Sequence, residues 1–556
     1  MDTFPLNGLP TPPLEDVATP SLSKSLQKLY ADNEAMRASI QSFQIYKETA
    51  TRDNFINGFD QSSALISLHS DESELFFGQQ QQECFNLMQQ QNMLITSLGK
   101  ILEDYINIQN QVIMALKIWQ RKQALAGNGA PFPANLDEIQ SFVEALMDRI
   151  NEIIFFCNCL LYLFVEPSVQ GILNHAQDLH NVLIFSTFIV EKQPSQVIKT
   201  GTKFSASVRW LIGRKLDIHQ NKPKMKCEIL SEAQAKRLAA QNGANIQIPP
   251  TSTGVMIGNE CSMVYDSSSG NFSANFAELV IKSIQRSERK GPESVMDEKC
   301  TLLFYTTTQY KEYEITCWTL TVPLVVVVHN SQAPQSMATT TWDNAFYIIG
   351  REPFQVPDKV HYTKLLEALN MKFASLTGGE LTPENLDFLS EKLLFNETGQ
   401  ANEYITYSRF CRDRLPGRNF TFWEWFYAIM KLVTTHLNQM WTDGLIVGFI
   451  NKQKTLEEIL PSQPNGTFLL RFSDSECGAI TIAVHHDHGR YLITPWTAND
   501  LVVRSLADRV NDLPMCQILY PKMLQRDAAF GSFYTPRIAR DGYVPAQIVV
   551  QPPQFH

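Results

Sequence analysis

The sequence predicts a multidomain α+β protein: an antiparallel helical bundle, then a β-sandwich, a helical connector and a small domain built on one apolar strand. Three observations support this prediction. Apolar residues recur at alternating steps of four and three before residue 165, and short β-rich runs follow from about residue 200. Helical patterns return near residue 358, ahead of a strand-like run at 466–476. A chain of 556 residues, 44% of them apolar, is long enough for three to five domains.

Residues 21–192 are predicted to form an antiparallel four-helix coiled-coil bundle, after a disordered lead-in at 1–20 that holds five prolines. Alternating steps of four and three keep one apolar seam facing a partner helix. Glycines and prolines at 127–133 separate the second helix from the third, and a fourth helix fits 168–190. The seam positions are Leu22, Leu26, Leu29, Asn33, Met36, Ile40 and Phe43; Leu94, Leu98, Ile101, Tyr105, Ile108, Val112, Ala115 and Trp119; and Leu136, Ile139, Val143, Leu146, Ile150, Ile153, Cys157, Leu160 and Phe164.

Residues 193–340 are predicted to form a β-sandwich, because short β-rich runs alternate with clusters of Gly, Pro, Asn and Ser. Between residues 192 and 340 there are 17 Lys and Arg against 12 Asp and Glu, a net charge of +5, whereas the whole chain carries −10. A basic module in an acidic chain indicates a phosphate-bearing partner. The predicted strands are 204–212, 225–230, 262–265, 277–284, 301–307 and 314–328.

Residues 341–440 are predicted to form a helical connector. Thr382 followed by Pro383 is a helix-start signal, with the threonine as N-cap and the proline in the first turn. A dense aromatic cluster at 422–426 is interpreted as packed core rather than as a ligand site.

The apolar strand at 466–476 ends in side chains suited to binding an oxyanion. Arg471 follows three apolar residues, and a guanidinium held in a sheet is a planar donor for bidentate contacts. Ser473 and Ser475 follow at period two and are expected to face the same side. Lys452, on a predicted helix upstream, is a second cation. The alternative is a buried structural arginine that pairs with Asp474.

This constellation resembles the phosphotyrosine pocket of a Src-homology-2 (SH2) domain, predicted at 441–535. The domain order resembles that of the signal transducer and activator of transcription (STAT) family, in which the sandwich is immunoglobulin-like. The resemblance extends over roughly residues 20–550. It is carried by the motifs at 199–204, 342–346, 441–450, 466–476, 505–509, 533–536 and 541–544.

The resemblance implies particular site residues. Phosphotyrosine would bind at Arg471, Lys452, Ser473, Asp474 and Ser475, and the phosphorylated residue would be Tyr543 in a tail at 536–556. End loops of the sandwich would contact DNA. The matching positions are Arg214, Lys215, Glu298, His329 and Asn330.

The resemblance also implies a function: a latent cytoplasmic transcription factor that moves into the nucleus when phosphorylated. The expected partners are double-stranded DNA, a second phosphorylated copy of the chain, a tyrosine kinase, phosphotyrosine motifs of a receptor, and nuclear import factors. STAT proteins usually begin with a separate helical domain and end with a long acidic segment. This sequence is therefore expected to be a form that lacks both.

Two other classes of protein are alternatives to this function. A phosphotyrosine adaptor resembling Cbl also places a four-helix bundle and a helical connector before an SH2 domain, but it has no β-sandwich between them. The other alternative is an enzyme. The sequence has no phosphate-binding Gly-rich loop, kinase signature or nucleophile elbow, which argues against it.

No cofactor, metal site or membrane segment is predicted. The ten cysteines show no zinc-binding spacing. His485, His486 and His488 are interpreted as a solvated hairpin. The most apolar stretch, 153–165, is too short to cross a bilayer.

Overall fold

The structure of the protein is a computed structural model that describes residues 19–64, 70–218, 222–241, 247–249, 251–286, 295–395, 401–487 and 489–536. Most of the predicted lead-in and almost all of the predicted tail, including Tyr543, lie outside the described residues.

Four helices form the bundle, and the predicted seams supply most of its core, except that Leu116 is buried in place of the predicted Ala115. α1 packs on α2 and α3, and α3 packs on α4. Side chains from the middle of the seams, such as Leu98, Tyr105 and Ile150, are fully buried. None of the described helices is both long enough and apolar enough to cross a membrane. The helices are α1 Thr19–Ala64, α2 Ser70–Ala126, α3 Asp137–Leu163 and α4 Pro167–Ser186.

The fourth helix is shorter than predicted. It ends at Ser186, and Phe188–Lys192 forms a strand of the sandwich instead of continuing the helix. This strand pairs antiparallel with Lys203–Trp210, so Val190 lies opposite Val208. Residues 188–190 are apolar and β-branched or aromatic, which suits a buried strand at least as well as a helix end. The sandwich therefore begins before residue 193.

Two sheets form the sandwich. One has the order β1-β3-β8-β5, with β7 also paired to β8, and the other has the order β10-β9-β4-β6. A parallel pair, β2 and β11, lies beside them. One continuous apolar core runs from the bundle into the sandwich. The elements are β1 Phe188–Lys192, β2 Val197–Lys199, β3 Lys203–Trp210, β4 Lys224–Ser231, α5 Glu232–Ala239, β5 Gly254–Ile257, β6 Glu260–Ser262, β7 Val264–Asp266, β8 Asn271–Ile284, β9 Cys300–Tyr310, β10 Tyr313–Leu320 and β11 Val325–Val327.

Two details of the sandwich differ from the prediction. The run 314–328 is not one strand, since the chain leaves β10 before Pro323, which has no backbone N–H to donate to a ladder. The short helix α5 was not predicted. Its start is a capping box in which Ser231 and Gln234 satisfy each other's backbone N–H groups.

The connector is helical, as predicted, and its aromatic cluster is core. Thr382 accepts a hydrogen bond from the backbone N–H of Asn385, which confirms the predicted helix start. Phe422, Trp423 and Phe426 are buried in a core shared with the last domain. The elements are α6 Ala333–Phe346, β12 Lys359–His361, α7 Tyr362–Thr377, α8 Pro383–Leu394, β13 Tyr404–Thr406, α9 Tyr407–Cys411, α10 Phe422–Leu432 and α11 Asn438–Thr442.

A mixed sheet forms the last domain. Its central strand β14 pairs antiparallel with β15 and parallel with β18, and all six residues of β14 are buried. The elements are α12 Lys452–Lys454, β14 Thr467–Phe472, β15 Ala479–His486, β16 Gly489–Leu492, β17 Trp496–Thr497, α13 Ala498–Val503, α14 Leu506–Asn511, β18 Ile518–Leu519, β19 Leu524–Gln525 and α15 Arg526–Phe530.

A buried carboxylate joins the sandwich to the connector. Helix α6 crosses the predicted boundary at 340, and its Asp343 is 1% exposed. The Asp343 carboxylate binds Arg351 Nη2 at 2.6 Å and Lys299 Nζ at 3.3 Å. The sandwich and the connector are thus held in a fixed arrangement by charge pairs as well as by apolar packing.

Replacing Asp343 with asparagine leaves two largely buried cations without their counter-charge. We expect Asp343→Asn to lower the free energy of unfolding by about 3 kcal/mol, as is typical when one partner of a buried pair is removed. Thermal unfolding followed by circular dichroism measures this. The matched control is Glu367→Gln, which removes the solvent-exposed pair with Lys364 and should change stability by about 0.5 kcal/mol or less. Equal effects of the two changes would contradict the structural role of Asp343.

Candidate functional site

Arg471 lies near the end of the central strand β14, with a side chain that is 2% exposed. Its Nε and Nη2 donate to the backbone carbonyl of Ile450 at 3.1 and 2.8 Å. Nη2 also lies 3.5 Å from Asp474 Oδ1. Nη1 has no hydrogen-bond partner among the described residues. One edge of the guanidinium is therefore fixed by the protein, and one nitrogen remains able to donate to a ligand.

The loop that follows the strand, residues 473–478, is turned back on itself by one hydroxyl. Ser473 Oγ accepts from the backbone N–H groups of Ser475 and Glu476 at 3.3 and 3.1 Å. It also lies 3.2 Å from Ser475 Oγ. The two serine hydroxyls lie next to each other, but not through the predicted strand alternation. Strand β14 ends at Phe472, so it is this turn rather than strand alternation that places them together.

The connector holds this 473–478 loop from outside the domain. The Trp425 indole N–H donates to the Ser473 carbonyl at 2.8 Å in a buried contact. At the other end of the loop, a Cβ on Gly478 would lie 2.9 Å from Ala428 Cβ, and the φ of Gly478 is +65°. Glycine allows both this backbone conformation and the close approach of helix α10. Both ends of the loop are thus positioned by one connector helix.

The structure also shows where the two other charged groups near Arg471 lie. Lys452 begins helix α12, two residues after the carbonyl that Arg471 binds, and it is exposed with no ion pair among the described residues. Lys392, which the sequence reasoning missed, extends from connector helix α8 to within 3.7 Å of Asp474 Oδ2. No spacing rule within the last domain could have found Lys392, because it lies 79 residues before Arg471.

Burial acts on both cations that face Asp474. It lowers the pKa of the Arg471 guanidinium from its usual value, and Asp474 opposes that shift. It lowers the pKa of the Lys392 ammonium in the same way, again opposed by Asp474. Arginine remains charged at neutral pH even after such a shift. The site therefore concentrates positive charge in a partly desolvated position, where an anion is bound more strongly than in water.

The sandwich brings some of the predicted DNA-contact residues to one end. His329 and Asn330 are exposed directly after β11. Glu298 pairs with Arg286 at 3.0 Å, and Arg286 Nη2 donates to the Val326 carbonyl of β11 at 2.7 Å. Glu298 is 13% exposed in this pair, so it positions Arg286 rather than facing solvent alone. Arg289 and Lys290, which follow Arg286 in a basic stretch of the sequence, lie outside the described residues.

Arg214 and Lys215 lie at the opposite end of the sandwich. Gly213, which precedes them, packs on Phe272 near the start of β8, whereas Arg286 follows the end of β8 at Ile284. Twelve residues of strand separate those points, which is roughly 40 Å. Lys215 is moreover paired with Asp148 of helix α3 at 2.7 Å. The structure therefore separates these two predicted residues from the other three, and this end of the sandwich packs against the bundle.

Other lysines lie at the Asn330 end. The backbone N–H of Thr200 donates to the Val327 carbonyl, and that of Gly201 donates to the Ile281 carbonyl, both at 2.9 Å. These bonds place Lys199, Lys203 and Lys282 beside the loop that carries Asn330. Lys199 and Lys203 belong to the motif at 199–204 that carries part of the family resemblance.

Four family models match the chain. They are "STAT transcription factor, coiled-coil domain" over residues 18–156, "STAT protein, DNA binding domain" over 192–327, "Signal transducer and activator of transcription, linker domain" over 349–426 and "SH2 domain" over 445–515. The chain belongs to the STAT family.

The "Signal transducer and transcription activator" of Drosophila melanogaster is 44% identical over 465 residues, which are 81% of this chain and 61% of that protein. The matches confirm the predicted fold class, with a STAT coiled coil, a β-rich DNA-binding domain, a STAT linker and an SH2 domain. Three of the four models are those of the STAT family, which is a transcription-factor family and not an enzyme family. The Cbl-like adaptor architecture does not account for the DNA-binding domain between the coiled coil and the linker.

The histidines of the last domain show ordinary contacts. His485 Nδ1 lies 2.9 Å from the Gln463 carbonyl, and His486 Nε2 lies 3.4 Å from Asp487. His488 lies outside the described residues. Among the described residues, His, Cys, Asp and Glu do not form a group of three or more that could hold a metal ion.

Ser473→Ala removes the acceptor that turns the 473–478 loop of this STAT-type SH2 domain. Each lost hydrogen bond is worth about 1 kcal/mol, so the amides of Ser475 and Glu476 should exchange roughly five to thirty times faster. Hydrogen exchange with mass spectrometry on peptides covering the loop measures this. In the control Ser475→Ala, the Ser473 hydroxyl still accepts from both amides, and exchange should stay close to that of the unmodified chain. Unchanged exchange in Ser473→Ala would contradict the turn.

Proposed function

We propose that the chain is a latent transcription factor that dimerises when a tyrosine near its C-terminal end is phosphorylated. Each copy would place its phosphotyrosine in the SH2 pocket of the other. The dimer would enter the nucleus through import factors and bind palindromic DNA with two sandwiches. The single observation that carries this proposal is Arg471, which is buried, oriented by the Ile450 carbonyl, and has one nitrogen without a partner among the described residues.

The pocket is suited to a phosphate ester rather than to a neutral side chain. A phosphotyrosine carries a charge of about −2 and three acceptor oxygens. Arg471 Nη1, the hydroxyl of Ser475 and the exposed ammonium of Lys452 are donors that do not require the core to rearrange. A tyrosine kinase would produce the phosphotyrosine. A phosphotyrosine motif of a receptor would occupy the same pocket.

The segment that would carry the phosphotyrosine to a second chain begins at the edge of the SH2 domain. The backbone N–H and the hydroxyl of Thr535 both bind the carboxylate of Asp508, at 3.0 and 2.5 Å, so the chain is tied to the SH2 domain as far as residue 535. Eight residues then lead to Tyr543, at most roughly 28 Å when fully extended. A reciprocal exchange forms a two-fold contact in which each tail contact strengthens the other.

A two-fold dimer would present two copies of the Asn330 loop to one duplex, which matches the symmetry of a palindromic site. Asn330 could read a base edge, since asparagine pairs with the adenine edge in the major groove. Lys199 and Lys282 would hold phosphates, and Lys203 would join them by leaving its solvent-exposed ion pair with Glu278. Arg214 and Lys215 have no place in this contact, because they lie roughly 40 Å away along β8.

Arg471→Ala should prevent the phosphorylated chain from dimerising. The loss of charge-assisted hydrogen bonds should raise the dimer dissociation constant at least about 100-fold. Tyr543→Phe should remove phosphorylation-dependent dimerisation altogether. Sedimentation velocity of the chain treated with a tyrosine kinase measures both effects.

Arg490→Ala is the matched control, because Arg490 is an exposed arginine on the same sheet as Arg471. This variant should dimerise like the unmodified chain. A stable phosphorylated dimer of Arg471→Ala would show that the pocket lies elsewhere.

DNA binding by variants of the phosphorylated dimer should distinguish residues that contact bases from residues that contact phosphates. Asn330→Ala should reduce the preference for the cognate palindrome by about 1–3 kcal/mol. Lys199→Ala should weaken binding to all sequences and reduce the salt dependence by about one unit of slope per subunit. Fluorescence anisotropy with cognate and random duplexes over a salt series measures these effects.

Arg214→Ala serves as the control for DNA binding, since its side chain is exposed at the other end of the sandwich. It should leave both affinity and salt dependence unchanged. If Arg214→Ala weakened binding as much as Lys199→Ala does, the assignment of the Asn330 end to DNA would fail.

A further inference from the structure

One cation of the pocket comes from outside the SH2 domain. Lys392 lies near the end of connector helix α8, and its side chain is 27% exposed. Its ammonium lies 5.1 Å from the centre of the Phe388 ring and 3.7 Å from Asp474 Oδ2. The ammonium is therefore held between an aromatic ring and a carboxylate at the edge of the pocket.

The Asp474 carboxylate lies between two cations. Its Oδ1 faces Arg471 and its Oδ2 faces Lys392, at 3.5 and 3.7 Å. The three groups together carry a charge of +1. If Lys392 were removed, Arg471 and Asp474 would form a neutral pair, and an entering phosphate would meet an uncompensated carboxylate beside the guanidinium. Asp474 is only 19% exposed, so water screens this repulsion weakly.

We propose that Lys392 is a positioning residue for phosphotyrosine binding, which it supports by neutralising Asp474 and holding its carboxylate away from the phosphate. The inference rests on the proposed function of the Arg471 pocket. Because Lys392 belongs to the linker, the pocket is complete only when helix α8 packs against the SH2 domain. The affinity of the SH2 domain for phosphotyrosine then depends on the linker. Trp425 and Ala428 hold the same 473–478 loop, and the Trp425 ring lies 6.3 Å from the ring of Phe388 on α8, which gives this contact a fixed geometry.

Action through Asp474 is distinguishable from direct contact with the phosphate. A lysine that binds phosphate itself would be needed whether or not residue 474 is charged. A lysine that only neutralises Asp474 becomes dispensable once that carboxylate is removed. The pair therefore calls for a double-mutant cycle.

The probe is a phosphotyrosyl peptide with the sequence of residues 537–549, and the binding partner is the unphosphorylated full chain. Fluorescence polarisation should show that Lys392→Met weakens binding at least tenfold and that Lys392→Arg stays within threefold of the unmodified chain. In the Asp474→Asn background, adding Lys392→Met should change the affinity less than threefold. Lys364→Met, on the exposed face of helix α7, is the control and should have no effect. Lys392→Gln provides a second neutral variant if Lys392→Met does not fold.

The other outcomes are separable. If both neutral variants bind the peptide within twofold of the unmodified chain while Arg471→Ala does not bind, the role of Lys392 is wrong and the pocket stands. If Lys392→Met loses the same factor in the Asp474→Asn background, the lysine contacts phosphate directly and the proposed route through Asp474 is wrong. If Arg471→Ala binds normally, the proposed function itself fails.

Discussion

The hydrogen bonds between the Arg471 guanidinium and the Ile450 carbonyl are the contact on which the site depends. A buried arginine is unfavourable unless its donors are satisfied, and here a backbone carbonyl satisfies two of them without neutralising the charge. The side chain is thus fixed before any ligand arrives. Lys452 follows Ile450 by two residues, so its backbone lies close to this contact. Arg471 also lies close to Asp474, as the alternative of a structural arginine expected. That pairing and a nitrogen with no partner among the described residues occur together in this structure.

The SH2 domain and the linker form one structural unit. A single apolar core runs through both, and helix α10 lies directly behind the loop that follows Arg471. The bundle and the sandwich likewise share a core, and Asp343 connects the sandwich to the linker through ion pairs. The pocket is therefore connected to the sandwich by packed helices and by buried charges.

Much of the fold could be predicted from the sequence, because each element has a local cause. The seams of the bundle, the N-cap at Thr382 and the buried strand at Arg471 depend on periodicity and on residues within one or two turns. Errors arose where tertiary pairing decided between local options. Phe188–Lys192 pairs with β3 although it directly follows a helix, and the run at 314–328 divides at Pro323. The start of helix α5 has a capping box in the sequence, Ser231 with Gln234, but it lies between β-rich runs and was not predicted.

The sequence by itself determined the domain order and the choice of Arg471, Ser473 and Ser475 as candidates for binding an anion, since these depend on residue type and short spacing. Only the tertiary structure decided which distant residues share a site. It added Lys392 to the pocket from a helix in another domain. It also separated Arg214 and Lys215 from Asn330, because a fourteen-residue strand runs between the two ends of the sandwich. Spacing along a chain does not report such distances, which are set by strand pairing and helix packing.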